Sequence, residues 1–99
     1  MISLDTVEST IFSTLNEKQF RLETPSLNLD LTLEQIRELG NRRPDSPRDP
    51  FALSFRGKTG VRLPQGIYRL SHPELGSLEI FLTQNADGPK GSEFEAIFN

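Results

Sequence analysis

Four pieces of the second half of the chain decide the fold: FALSFRG (51–57), LPQGIYRLSHPELG (63–76), SLEIFLTQ (77–84) and FEAIFN (94–99). In each, apolar side chains fall on alternate positions. Phe51, Leu53 and Phe55 share one face, as do Tyr68 and Leu70, then Leu78, Ile80 and Leu82, then Phe94, Ala96 and Phe98. Successive side chains of a strand point to opposite faces, so a period of two describes strands with one face buried. Turn-forming residues stand between the pieces. Gly57 and Gly66 bound one loop, His72-Pro73-Glu74-Leu75-Gly76 makes a tight connection, and residues 85–92, with Asp87-Gly88-Pro89, make another loop. The reading is an antiparallel sheet with strands at about 51–56, 67–71, 77–83 and 93–98.

Upstream, Phe20 and Leu22 alternate with Arg21 and Glu23, which predicts a strand over 18–23. Pro25-Ser26 turns the chain. Leu27, Leu29, Leu31 and Leu33 then give the clearest period-two signal in the sequence. The phase breaks after Leu33, because Ile36 and Leu39 follow at spacing three. Either the strand continues through a bulge, or a helical turn starts at Thr32, with Gln35 as capping-box partner, and stops at Gly40. We favour a strand over 26–36. Near the N-terminus, Leu4, Val7, Ile11 and Leu15 recur at helical spacing, with Phe12 beside them, and Asp5 and Glu8 have capping-box spacing. A short amphipathic helix is expected over about 5–15, ending near Asn16.

Six strands and one helix in 99 residues make a single domain over 1–99. The expected fold class is mainly β: a small antiparallel six-stranded barrel or curled sheet with an N-terminal α-helix. Closing the sheet removes exposed edges, and the helix is placed to plug one open end. With seven Phe and no Trp, Phe and Leu supply most of the core. The segment 40–50, GNRRPDSPRDP, has no apolar side chain beyond its three prolines and reads as a long exposed loop of the kind that often binds partners.

Composition narrows the function. The net charge is −3, opposite to the basic surplus of a nucleic-acid binder. Without cysteine there are no disulfides, cysteine-ligated metals or cysteine nucleophile. The first residues, MISLDTVESTIF, lack the basic-then-apolar pattern of a signal peptide, and no apolar run approaches the roughly 20 residues of a membrane helix. A soluble, cytoplasmic protein is expected.

No motif supplies a complete chemistry. Gly57-Lys58-Thr59 ends like a phosphate loop, but Ala52 stands where the first glycine belongs, and Leu63-Pro64-Gln65-Gly66 follows where a helix is needed. His72 is the sole histidine and has neither a nucleophile to activate nor fellow zinc ligands. Asn85, Asp87 and Glu93 flank a glycine-rich loop but lack the ligand alternation of a calcium loop, and Lys90 intrudes. No pair of the scattered acids is set for glycoside chemistry. We therefore expect no enzyme, no metal and no cofactor. One uneven feature remains. Residues 42–62 carry Arg42, Arg43, Arg48, Arg56, Lys58 and Arg62 against Asp45 and Asp49. Phe51 and Phe55 share a face with Leu53, so they belong to the core and not to a base-stacking platform. An acidic protein surface is the better match, and Arg42, Arg43, Arg48 and Arg56 are the predicted partner contacts.

Several of these pieces resemble a family of small bacterial domains of unknown function. They are FALSFRG (51–57), LPQGIYRL (63–70), HPELG (72–76) and the ending EAIFN (95–99), where Phe94 replaces a tyrosine of the family pattern. The N-terminal part, with its helix and then Phe20 before the leucine-alternating strand, is similar too. The resemblance brings no activity, cofactor or catalytic residue. Members are often encoded beside phage-tail-collar-like proteins. That implies a structural or adaptor role without enzymatic activity, a tail-collar-like protein partner, and incorporation into a tail-like assembly. The alternative expectation is a small ligand-binding barrel for a peptide, sugar or anion, with Tyr68 or Arg56 reaching into its pocket. An uncovered edge strand would also allow a homo-oligomer by strand pairing.

Overall fold

In the computed structural model, which describes residues 8–40, 44 and 49–98, the alternating segments close on one another. The elements are a short helix α1 (Ser9–Ser13) and six strands: β1 (Gln19–Glu23), β2 (Asn28–Glu38), β3 (Phe51–Gly57), β4 (Gly66–His72), β5 (Gly76–Gly88) and β6 (Gly91–Phe98). They form a closed antiparallel barrel in the order β1-β2-β3-β6-β5-β4, with β4 pairing back onto β1. The last strand lies between β3 and β5.

The phase break after Leu33 is a bulge. Leu33 pairs with Phe55 and Gln35 with Ser54, so Glu34 is the extra residue. The bulge returns Ile36 to the inner face, and β2 runs on to Glu38. The helical turn over 32–40 does not form. Beyond β2, the Leu39 amide donates to the Pro50 carbonyl at 2.9 Å, so a proline without a donor still extends the ladder as an acceptor. Gly40, Pro44 and Asp49, described residues of the 40–50 loop, are exposed.

Two expectations need correction. Residues 85–92 are mostly strand and not a loop. A second register shift, between Gln84 and Ala86, lets β5 continue to Gly88, and Pro89 and Lys90 alone join it to Gly91. The helix is shorter than expected. Its cap position is Glu8, whose backbone is extended and whose side chain makes no capping bond. It ends at Thr14, before Asn16. Asp5, Leu4 and Val7 lie outside the described residues. The buried helical side chain is Phe12, while Ile11 is on the exposed side. Thr and Ser favour helices weakly, so packing sets this helix, not propensity. Lys18 completes its end: Nζ donates to the Phe12 and Ser13 carbonyls at 3.2 and 3.3 Å, where the helix leaves acceptors unpaired.

The interior is filled by side chains. Phe12 enters from the end where β3 begins and β6 finishes, its ring 6.0 Å from Phe51 and 5.9 Å from Phe98. Phe51 and Phe98 are register partners and stack at 4.7 Å. Phe20 meets Phe55 edge-on at 5.4 Å, near the middle. Leu22, Leu31, Leu53, Leu70 and Leu82 fill the space between the rings, and Val61 closes the opposite end.

Candidate functional site

Among the described residues, His72, Gln84 and Ser92 carry polar side chains on inward positions, and each binds backbone. His72 follows Tyr68 and Leu70 in the inward phase of β4. Gln84 follows Leu78, Ile80 and Leu82 in β5. Ser92 precedes Phe94, Ala96 and Phe98 in β6. A polar group at such a position must find a partner.

His72 is buried against the Phe20 ring, centroids 4.6 Å apart. Its Nδ1 accepts the Glu74 amide at 3.0 Å, so the proton sits on Nε2, which donates to the Glu17 carbonyl at 2.7 Å. Glu74 answers from the same turn: its Oε1 accepts the Asn16 and Glu17 amides at 3.2 and 3.3 Å. The reason lies in the ladder. The β1–β4 seam has three paired positions, fewer than any other in the barrel. Two positions beyond Arg21 and Ser71 the same register would place Gln19 against Pro73, which has no amide to give. The His72 and Glu74 side chains take over there and hold the barrel shut. Both histidine nitrogens are engaged in this clasp.

At the other end, Gln84 acts as a substitute strand. Its Nε2 donates to the Val61 carbonyl at 2.7 Å and its Oε1 accepts the Leu63 amide at 2.8 Å. Ser92 Oγ donates to the Lys58 carbonyl at 2.5 Å. Asp87 Oδ1 accepts the Gly60 amide at 3.0 Å, and Thr59 Oγ1 donates to the Gly88 carbonyl at 2.6 Å. The Gly57-Lys58-Thr59-Gly60 turn is thus pinned to the β5–β6 hairpin, and a carboxylate already occupies the amide that a phosphate would need. Asp87 is committed to this loop. Among the described residues, no group of three or more His, Asp or Glu is placed to hold a metal.

Of the predicted contact residues, Arg42, Arg43 and Arg48 lie outside the described residues. Arg56 is on the outer wall and is paired: Nε donates to Glu34 Oε1 at 2.9 Å, Nη2 lies 4.0 Å from Glu93, and Nη1 donates to the Lys90 carbonyl at 3.4 Å. It does not enter the barrel. Tyr68 spends its hydroxyl on the Pro64 carbonyl of its own loop, at 2.5 Å. A cleft of about 580 Å³ opens on the outside of the β1–β4 seam between Glu17, Arg21, Asp30, His72 and Ser77. A second, about 380 Å³, lies between Arg62, Pro64, Asn85 and Asp87. Neither is lined by Tyr68 or Arg56.

The outer wall holds what the alternation alone does not single out. Ile67 and Phe81 are register partners on β4 and β5, both facing out. Thr83 pairs with Glu95, and two residues further along each strand bring Phe81 level with Ile97. Ile97 in turn pairs with Ala52, and Ala52 with Arg37. One level of the wall therefore reads Ile67, Phe81, Ile97, Ala52, Arg37 across five strands. Ile67, Phe81 and Ile97 are 68%, 53% and 56% exposed, while Ala52 is 1% exposed. The signal was present in the sequence as Ile67, Phe81 and Ile97 occupying the polar phase of their strands.

The family model described as a domain of unknown function (DUF6916) matches residues 7–98. No curated protein and no solved structure matches the chain. No helix among the described residues is long and apolar enough to cross a membrane.

Proposed function

The chain belongs to the DUF6916 family of domains of unknown function, and from that premise we propose a non-enzymatic structural or adaptor domain that works through protein contacts on its outer wall. The observation that carries this reading is the row Ile67, Phe81 and Ile97, each more than half exposed on adjacent strands. Side chains of this size stabilise a β domain when buried, and a contiguous group left in water marks an interaction surface. The polar side chains facing inward support the same reading, since each is committed to a loop. The partner class follows the family resemblance: a tail-collar-like fibre protein encoded alongside, which this domain accompanies in a tail-like assembly.

A ligand-binding module is the second reading, and the cleft beside His72 favours it because its volume suits a small molecule. It ranks second because the His72 ring and the Glu74 carboxylate beside it already bond the chain's own backbone. The direct test is a pull-down of the neighbouring gene product at micromolar concentration, with and without added salt. An apolar contact keeps the complex in both buffers, because salt screens charges and spares hydrophobic burial. The absence of a complex in either buffer contradicts the proposal.

A further inference from the structure

We propose that the His72 clasp is an acid-sensitive latch, so that the barrel opens along its β1–β4 seam when the imidazole takes up a second proton. The latch goes beyond the contact role and is independent of the outer wall. Its place is set by the ladder. The seam has three paired positions, Arg21–Ser71, Leu22–Leu70 and Glu23–Arg69, and past them the chain is held by the His72 and Glu74 side chains.

Three features make the latch respond to a proton. The first is the direction of the two ring bonds. Nδ1 accepts the Glu74 amide at 3.0 Å, while Nε2 donates to the Glu17 carbonyl at 2.7 Å. An imidazolium donates from both nitrogens and accepts at neither, so a proton on Nδ1 faces the Glu74 N–H and ends that bond. The second is burial. His72 is 4% exposed with its ring against Phe20, so a closed seam leaves little solvent to hydrate a charge there. The third is the set of charges around the seam. The segment before β1 brings Glu17, whose carboxylate accepts the Gln19 amide, and Lys18, whose Nζ is spent on the end of α1. The turn brings Glu74, on the Asn16 and Glu17 amides. Arg21 of β1 and Asp30 of β2 pair at 3.5 Å on the outer wall. From β5, Gly76 stands opposite His72 and brings no charge. In the closed form the ring nitrogens bond backbone and no carboxylate. A charged ring turned outward reaches the cleft lined by the Glu17 and Asp30 carboxylates. The neutral ring thus belongs to the closed seam and the charged ring to the open one. The clasp holds fully at higher pH and is lost as pH falls below about 6.5, where an imidazole ordinarily charges. Opening uncovers the Phe20 ring and frees the edges of β1 and β4 to pair with another strand.

The experiment follows the purified full chain by nuclear magnetic resonance between about pH 7.5 and about pH 5. Ring nitrogen shifts report the protonation of His72, the sole histidine, and amide exchange reports each seam as a protection factor. His72→Asn and Glu74→Gln are run beside the wild type. Asparagine still accepts the amide two residues on and does not titrate. Glutamine keeps an oxygen for the Asn16 and Glu17 amides and does not titrate either. In the wild type, ring protonation and loss of protection at Glu17, Glu74, Arg21 and Ser71 are expected to share one midpoint. One linked proton sets the loss at up to about tenfold per pH unit. The β3–β6 ladder is expected to stay protected throughout. Glu74→Gln is expected to respond as the wild type does, and His72→Asn to show the same seam protection at both ends of the range. A ring that titrates while the seam stays closed overturns the proposal. So does a seam that opens at the wild-type midpoint in His72→Asn, a pH response abolished by Glu74→Gln, or an acid loss equal across every seam. If His72→Asn does not fold, the shared midpoint in the wild type and in Glu74→Gln still decides between a latch and a bystander ring.

Discussion

The two halves of the outer wall, at the same level of the same barrel, are finished differently. Across β2, β3 and β6, small residues lie under ion pairs. Ala52 and Ser54 face outward yet are buried, and the Arg37–Glu95 pair spans the strand between them. Arg56 repeats the device one level on, held between Glu34 and Glu93. Across β4, β5 and β6 no ion pair among the described residues gives such cover, and Ile67, Phe81 and Ile97 are more than half exposed. The difference teaches that outward alternation alone does not describe a surface. One side carries long charged side chains laid over alanine and serine, a face suited to solvent. The other carries large apolar side chains at the same positions, a face suited to contact.

The strongest way to break this comparison is to exchange the same residue type inside and outside. Phe55→Ala, in the filled interior, should cost about 3–5 kcal/mol in denaturant unfolding. Phe81→Ala, on the open wall, should change stability by no more than about 0.5 kcal/mol. Similar losses at both positions would mean that the wall is part of the core. A somewhat smaller effect is expected at Gly91, beneath the sealed side. Its φ is +116°, and a Cβ there would lie 2.3 Å from the Gly57 carbonyl oxygen and 3.3 Å from Arg56 Cγ. Gly91→Ala should therefore destabilise by roughly 2–4 kcal/mol and lift the hairpin from under Arg56. Wild-type stability in this variant would contradict the close backbone approach.

The loop anchors come next. Gln84→Ala removes both bonds to residues 61–63 and should cost about 1–3 kcal/mol, with amide exchange rising first in the 58–65 loop. Uniform acceleration across the barrel would argue against a local anchor. A smaller loss than at the loop anchors is expected at the ion pairs. Arg37→Ala should cost no more than about 1 kcal/mol, and less as salt is added. A large, salt-independent loss would show that the sealed side depends on more than charge.

Much of this architecture was legible from alternation. Leu29, Leu31 and Leu33, the Phe51–Leu53–Phe55 face and the Phe94–Ala96–Phe98 face all lie inside the barrel as their spacing requires. Six strands in a small chain pointed to closure. The bulges were legible only as a break in phase at Leu33, and at Asn85 not even as that, because turn-forming residues there imitate a loop. The helix misled through Ile11: its spacing fits an apolar stripe, yet Phe12 fills the hole between Phe51 and Phe98, and shape complementarity is invisible to periodicity. The roles of His72, Gln84 and Ser92 were within reach. Each is the next inward position of an apolar alternation, and a polar residue there requires a backbone partner. Which loop it would hold depends on strand order, and that emerges only when the barrel closes. Arg56 shows the reverse: charge density in the sequence suggested a free contact, while register gave it two carboxylates.

The most direct test of the whole account is solvent paramagnetic relaxation of the seven phenylalanine rings. In dilute solution, a soluble paramagnetic agent should broaden Phe81 strongly and spare Phe12, Phe20, Phe51, Phe55, Phe94 and Phe98. On adding a bound partner, Phe81 alone should gain protection. A Phe81 ring shielded in the lone chain, or any of the other six rings broadened beside it, would contradict a filled barrel with one wall left open for contact.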